Sequence, residues 1–165
     1  MKHNKCKNLC RFCFFSYLCK RYVVNKLKTY FYNMTKQKII IERELRSNSE
    51  SIIWELISTA EGLARWVADD VQLDGKVLKF TWGQVWSHHE IREAVITDKK
   101  KNQFIRYRWI DETDEDAYIE LKIIRTDLTN DYILCITDYA LPEDAEQLSE
   151  LWEDDLDRLH RSTGM

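Results

Sequence analysis

Apolar and polar residues alternate along most of the chain after residue 34, and the alternation changes to a helical period in two places. In Lys38–Arg46, Ile39, Ile41 and Leu45 fall on one face and Ile40, Glu42 and Glu44 on the other, which predicts a half-buried strand. Ser47 stands three residues before Glu50, the spacing of a capping box, and Ile52, Ile53, Leu56 and Ile57 then recur as one side of a helix. Thr59 is expected to end that helix and cap a second short turn carrying Leu63 and Trp66, with Gly62 a weak point in it.

From there to Pro142 the pattern is β. Asp74-Gly75 is a tight-turn signal. Leu78, Phe80 and Trp82 oppose Lys79 and Thr81, and a less regular run covers Glu90 to Asp98. After the turn Lys99 to Asn102, Ile105, Tyr107 and Trp109 oppose Arg106 and Arg108. Ile119, Leu121 and Ile123 alternate within Ala117–Arg125, and Thr129-Asn130-Asp131 turns the chain into Tyr132–Ala140. Connections this short join antiparallel strands, because a parallel crossover needs a dozen or more residues.

Pro142 suits a first helical turn, acidic residues follow it, and Arg158, His160 and Arg161 stand near the far end. Leu148, Leu151, Trp152, Leu156 and Leu159 make the stripe of a long helix that Gly164 ends. Such a stripe needs an apolar surface, and the face of a twisted sheet supplies one. The fold class expected is α+β: a curved antiparallel sheet wrapped around a long C-terminal helix, with two short helices after the first strand.

Composition divides the 165 residues unevenly. Residues 1–33 carry eight Lys/Arg and no Asp/Glu, while the remaining 17 basic residues face all 28 acidic ones, a net charge of −11 against −3 for the whole chain. An acidic body repels phosphate backbones, so nucleic acid is not an expected partner. No apolar stretch approaches the roughly 20 residues needed to cross a bilayer. Cys135 is the one cysteine of the body, a small hydrophobe in an alternating run, which suggests a reducing compartment such as the cytoplasm.

The first 33 residues lack Gly, Pro, Ala, Asp and Glu and show no sustained period. As a signal peptide they have a short apolar patch, Phe12 to Cys19, without a small-residue cleavage site. Cys6, Cys10, Cys13 and Cys19 miss the paired spacing of a zinc site, and no consistent polar face marks a membrane-surface helix. They are expected to be a non-native or disordered extension, with translation beginning at Met34 and residues 34–165 forming the domain.

The order of elements resembles the helix-grip fold of the START-related superfamily, which includes lipid-transfer domains, polyketide cyclases and homologues of the chaperone-ATPase activator. Ser51-Ile52-Ile53-Trp54-Glu55-Leu56-Ile57 is similar to the first-helix segment of the activator group. Thr59 to Trp66 is similar to its following segment, and Phe104-Ile105-Arg106-Tyr107-Arg108-Trp109 to its central strand. Small stand-alone START-like domains are similar over about 130 residues, from Met34 onward.

The resemblance implies a cavity between sheet and helix. Its expected lining is Phe80, Trp82, Tyr107, Trp109, Leu121, Leu134 and Trp152, with Trp54 and Trp66 on the short helices. Six Trp suit a hydrophobic or amphipathic ligand, since indole joins a large apolar body to one N–H donor, although aromatic stripes also simply fill cores. The function expected is non-catalytic binding of such a small molecule. The alternatives are a co-chaperone-like protein-interaction module and, less favoured, a cyclase-like enzyme.

Other candidates are weaker. In Ser87-His88-His89-Glu90, a strand would turn His89 away from His88 and Glu90. That leaves at most a proton-relay pair, with surface decoration the plainer reading. Asp111 to Asp116 lacks the Gly and Glu of a calcium loop, since Asp116 and Lys122 stand at those positions. Asp69-Asp70 either marks a pocket mouth or ends a helix. No catalytic residue, metal or cofactor is expected.

Overall fold

The computed structural model describes residues 35–47, 49–83, 89–126 and 131–165. The readings of the N-terminal segment, the Met34 start, Ser87, His88 and most of the Thr129-Asn130-Asp131 turn lie outside these residues.

Strand β1 (Gln37–Leu45) buries Ile41 and Leu45 and leaves Ile40 exposed, as its alternation requires. Helix α1 (Glu50–Ser58) begins two residues later than the capping-box reading places it. Its N-cap is Ser49, with no side-chain cap bond, and the Ser47 hydroxyl accepts the Ser49 N–H at 3.3 Å. Ile53, Trp54, Leu56 and Ile57 are its buried side, and Ile52 faces solvent.

Thr59 caps the short helix α2 (Ala60–Leu63), its Oγ1 accepting the Gly62 N–H at 2.9 Å. Gly62 is not a weakness but a requirement of close approach. A Cβ there would lie 2.2 Å from the Glu55 carbonyl oxygen and 2.7 Å from the Leu56 Cα.

Strands β2 (Asp70–Asp74), β3 (Val77–Trp82), β4 (Glu90–Lys100), β5 (Phe104–Trp109), β6 (Ile119–Arg125) and β7 (Tyr132–Ala140) follow as an antiparallel meander. The β2–β3 hairpin turns through Gly75 at φ +59°, and a bulge between Ile96 and Asp98 shifts the β4–β5 register. Strand β1 pairs with β7, so the seven strands run β1-β7-β6-β5-β4-β3-β2 across one sheet. Six strands follow the short helices. The additional one, β2, buries only Val71 and therefore has little alternation to reveal it.

Helix α3 (Ala145–Thr163) starts after a turn that holds Pro142, three residues later than its proline suggests, and ends at Gly164. Trp152, Leu156 and Leu159 are buried, Leu148 is half-buried, and Leu151, expected in the stripe, is exposed. The helix lies against β1 and β7, where Arg43 of β1 pairs with Glu153 and with Asp157, the latter at 3.0 Å. This is the helix-grip arrangement, and its core lies between the helices and one face of the sheet.

Candidate functional site

Strand alternation decides which side chains face α3. On β3 and β5 the inward positions are Leu78, Phe80 and Trp82, and Ile105, Tyr107 and Trp109. Phe80 pairs in register with Arg92, and Ala94 with Trp109, so Glu90 and Arg92 of β4 share that inward face. On β7 the same parity runs Leu134, Ile136, Asp138 and Ala140. From the other side, Trp152 and Asp155 stand three apart on the buried stripe of α3.

These positions surround a pocket of about 240 Å³ between β4, β5, β7 and α3. Trp82, Tyr107, Trp109 and Trp152 supply its aromatic walls, and Glu90, Arg92, Asp138 and Asp155 its charged groups. An adjoining space of about 100 Å³ shares Arg92, Trp109 and Asp138 with it. A groove of about 310 Å³ beside α1, α2 and the end of α3 is bounded by Glu55, Glu61 and Arg65, and no residue proposed from the sequence faces it.

Of the nine residues singled out from the sequence, four meet at the pocket: Trp82, Tyr107, Trp109 and Trp152. The other five are buried elsewhere in the core. Phe80 lies behind the aromatic wall, 5.3 Å from Trp109 and 5.7 Å from Tyr107 between ring centroids. Trp66 packs on Trp152 at 6.2 Å, and its Nε1 donates to the Leu56 carbonyl at 3.1 Å. Trp54, Leu121 and Leu134 belong to the common core but do not line the pocket.

Two indole N–H groups of the wall have partners: Trp82 Nε1 donates to the Val67 carbonyl at 2.8 Å, and Trp152 Nε1 to Asp138 Oδ2 at 2.9 Å. Tyr107 differs. Its side chain is wholly buried and its hydroxyl has no hydrogen-bond partner among the described residues. Burial, with Asp138 and Asp155 as neighbouring charges, holds that phenol well above its ordinary pKa.

Both aspartates are buried, and both were missed by the sequence reading. Burial pushes Asp138 up to about 6, against the opposing pull of the Trp152 N–H and the Tyr139 backbone N–H. Burial likewise pushes Asp155 up to about 7, and among the described residues its only ion-pair partner is Arg158 at 3.8 Å. Their signal was a polar residue in an apolar phase, Asp138 after Leu134 and Ile136, and Asp155 between Trp152 and Leu156. A buried polar group is more informative than an exposed apolar one.

Arg92 is already engaged. Its guanidinium lies 4.3 Å from the Trp109 ring centroid and forks onto Asp111 at 3.1 and 3.2 Å, which lowers the Asp111 carboxyl pKa. Elsewhere in the acidic run Glu112 pairs with Lys36, and Asp114 Oδ1 accepts the Asp116 N–H at 3.0 Å. Asp69 accepts the Gly83 N–H at 2.7 Å, holding the end of β3 to the segment before β2. Glu90 is exposed at the pocket's edge, with His89 next to it in the chain. No helix among the described residues is long and apolar enough to cross a membrane.

A family model for a START-like superfamily domain matches residues 33–165. A Bacteroides fragilis protein solved by solution NMR is similar at 40% identity, covering 76% of this chain and 90% of its own, with a TM-score of 0.53. The Aha1 dimer from Colwellia psychrerythraea is 15% identical over 78% of this chain and 98% of its own, with a TM-score of 0.60. The AHSA1-like protein from Aeromonas hydrophila is 14% identical over 78% of this chain and 92% of its own, again with a TM-score of 0.60. No curated protein matches the chain.

Proposed function

The chain belongs to the START-like superfamily, and from that premise we propose that it binds a small amphipathic molecule, without catalysis, in the pocket between sheet and α3. The carrying observation is Tyr107: a buried hydroxyl without a partner among the described residues, in a wall otherwise made of Trp82, Trp109 and Trp152. Leaving a buried hydroxyl unpaired costs roughly 1–3 kcal/mol, and a ligand oxygen or nitrogen would recover part of that.

Size narrows the ligand class. At about 30 Å³ per water, 240 Å³ is room for roughly eight waters, somewhat below the usual volume of a drug-sized site. That favours a compact molecule of one or two rings over a two-chain lipid. The acidic charge of residues 34–165 supports a partner other than nucleic acid, and the single body cysteine a reducing compartment.

2-Naphthol tests the reading, since it joins two apolar rings to one hydroxyl. We expect saturable one-to-one binding that changes Trp emission. Tyr107→Phe should weaken it roughly threefold to tenfold, and Lys79→Ala, on the opposite sheet face, should leave it unchanged. If neither 2-naphthol nor a panel of similar probes binds or shifts the melting temperature, the small-molecule reading fails and a protein-interaction role takes its place.

A further inference from the structure

The same pocket holds more negative charge than its walls require. Of its charged lining groups, Glu90, Asp138 and Asp155 are acidic and Arg92 alone is basic, and Arg92 is forked onto Asp111. Arg158 stands 3.8 Å from Asp155, beyond hydrogen-bond distance. Two carboxylates taken out of water with no cation within hydrogen-bond distance among the described residues are costly, since a buried charge normally has a close partner. The hydroxyl of Tyr107, which feels both aspartates, is buried with no hydrogen-bond partner among the described residues, whereas Asp138 accepts only N–H donors, from Trp152 and Tyr139.

We propose that the pocket takes a small organic cation, an ammonium group on an apolar body, with Asp138 and Asp155 as its counter-charges and the rings of Trp82, Tyr107, Trp109 and Trp152 as its walls. The inference deepens the small-molecule reading above and rests on it. An ammonium supplies the donors that two carboxylates and a phenol oxygen can accept. Aromatic faces attract a cation through their quadrupole, most strongly when it is desolvated, and Trp109 already carries one in Arg92.

The competing use of these groups is opposite in sign. If the carboxyls bound a ligand carbonyl, they would do so as protonated donors, and binding would weaken as pH rose. A bound cation instead favours the ionised carboxylates, whose proton affinity burial has raised, so its affinity should rise between pH 5 and pH 8. The other charged groups facing the aspartates are Glu90 and Arg92 from β4, Asp154 and Arg158 on α3, and Lys36 before β1. Asp138 and Asp155 are the pocket carboxyls that burial brings into that range, and His89 stands next to Glu90 at the pocket's edge.

Three probes on one phenylethyl body decide the matter on the full chain: 2-phenylethylammonium, 2-phenylethanol and 3-phenylpropionate, titrated by calorimetry at pH 5 and pH 8. At pH 8 the ammonium should bind about tenfold or more tighter than the alcohol, with the propionate weakest. Its affinity should rise from pH 5 to pH 8, and Asp138→Asn or Asp155→Asn should remove most of its advantage while leaving the alcohol within about threefold. Should either variant not fold, the wild-type pH series alone decides. An alcohol or propionate that binds as tightly as the ammonium, or ammonium binding that weakens as pH rises, overturns the cation inference and leaves the small-molecule reading standing. Binding by none of the three overturns the cation inference, and the 2-naphthol titration then decides the small-molecule reading.

Discussion

Asp138 and Asp155 are acids in a place that disfavours their charge, and stability must respond to pH accordingly. An unfolded Asp titrates near 3.9, whereas burial lifts Asp138 to about 6 and Asp155 to about 7. The native state holds these protons more tightly than the unfolded chain does. Its advantage is complete below about pH 4 and is lost as pH climbs through 6 and 7. Asparagine imitates the protonated carboxyl in shape without ionising. Asp155→Asn should therefore gain stability relative to the native sequence as pH rises from 5 to 8. Urea midpoints at the two pH values check this, and a difference that stays constant would mean that Asp155 is solvated in the native protein. Residues that lower stability at neutral pH and face a pocket are candidates for a binding role, because ligand recognition gives them a use that packing does not.

Helices α1 and α2 meet end to end at Thr59, and their geometry is set by backbone proximity. Thr59 Oγ1 donates to the Glu55 carbonyl at 2.8 Å and accepts the Gly62 N–H, which ties the last turn of one helix to the first of the next. Trp66 then reaches the Leu56 carbonyl and packs on Trp152, linking this corner to α3. Gly62→Ala would place a methyl group against backbone atoms that cannot swing aside, 2.2 Å from the Glu55 oxygen. Despite alanine's better helix propensity, the substitution should destabilise by about 1–3 kcal/mol or more. A denaturant midpoint equal to or above that of the native sequence would show that the corner can open without loss.

In the unit Lys36–Met165 as a whole, the core unites strands from both of its ends. Strand β1 pairs along its whole length with β7, from Gln37 against Ala140 to Leu45 against Tyr132, and α3 covers both. Lys36–Met165 is one compact unit, and the family match spans 33–165. Together these support the proposal that residues 34–165 suffice for folding. A chain begun at Met34 should melt within a few degrees of the full-length protein. A drop of many degrees would show that the first 33 residues contribute packing energy.

The local pattern of residues sufficed for every strand but β2, for the long helix and for the antiparallel meander. Alternation and the 3.6-residue period are properties of the backbone alone, and short connections leave neighbouring strands no other direction. The inward direction of Trp82, Tyr107 and Trp109 follows from parity on their strands and that of Trp152 from the helical stripe, but the same parity also chose Phe80, Leu121 and Leu134, which do not line the pocket. The local pattern could not supply the β1–β7 pairing, because those strands are about a hundred residues apart and nothing local selects the partner. Gly62 looked like a weak position until Glu55 and Leu56 were seen to approach it. For the same reason Asp138 and Asp155 were not singled out: burial is conferred by neighbours. Only when β4, β5, β7 and α3 converge do two carboxylates and an unpaired phenol come to share one small apolar pocket.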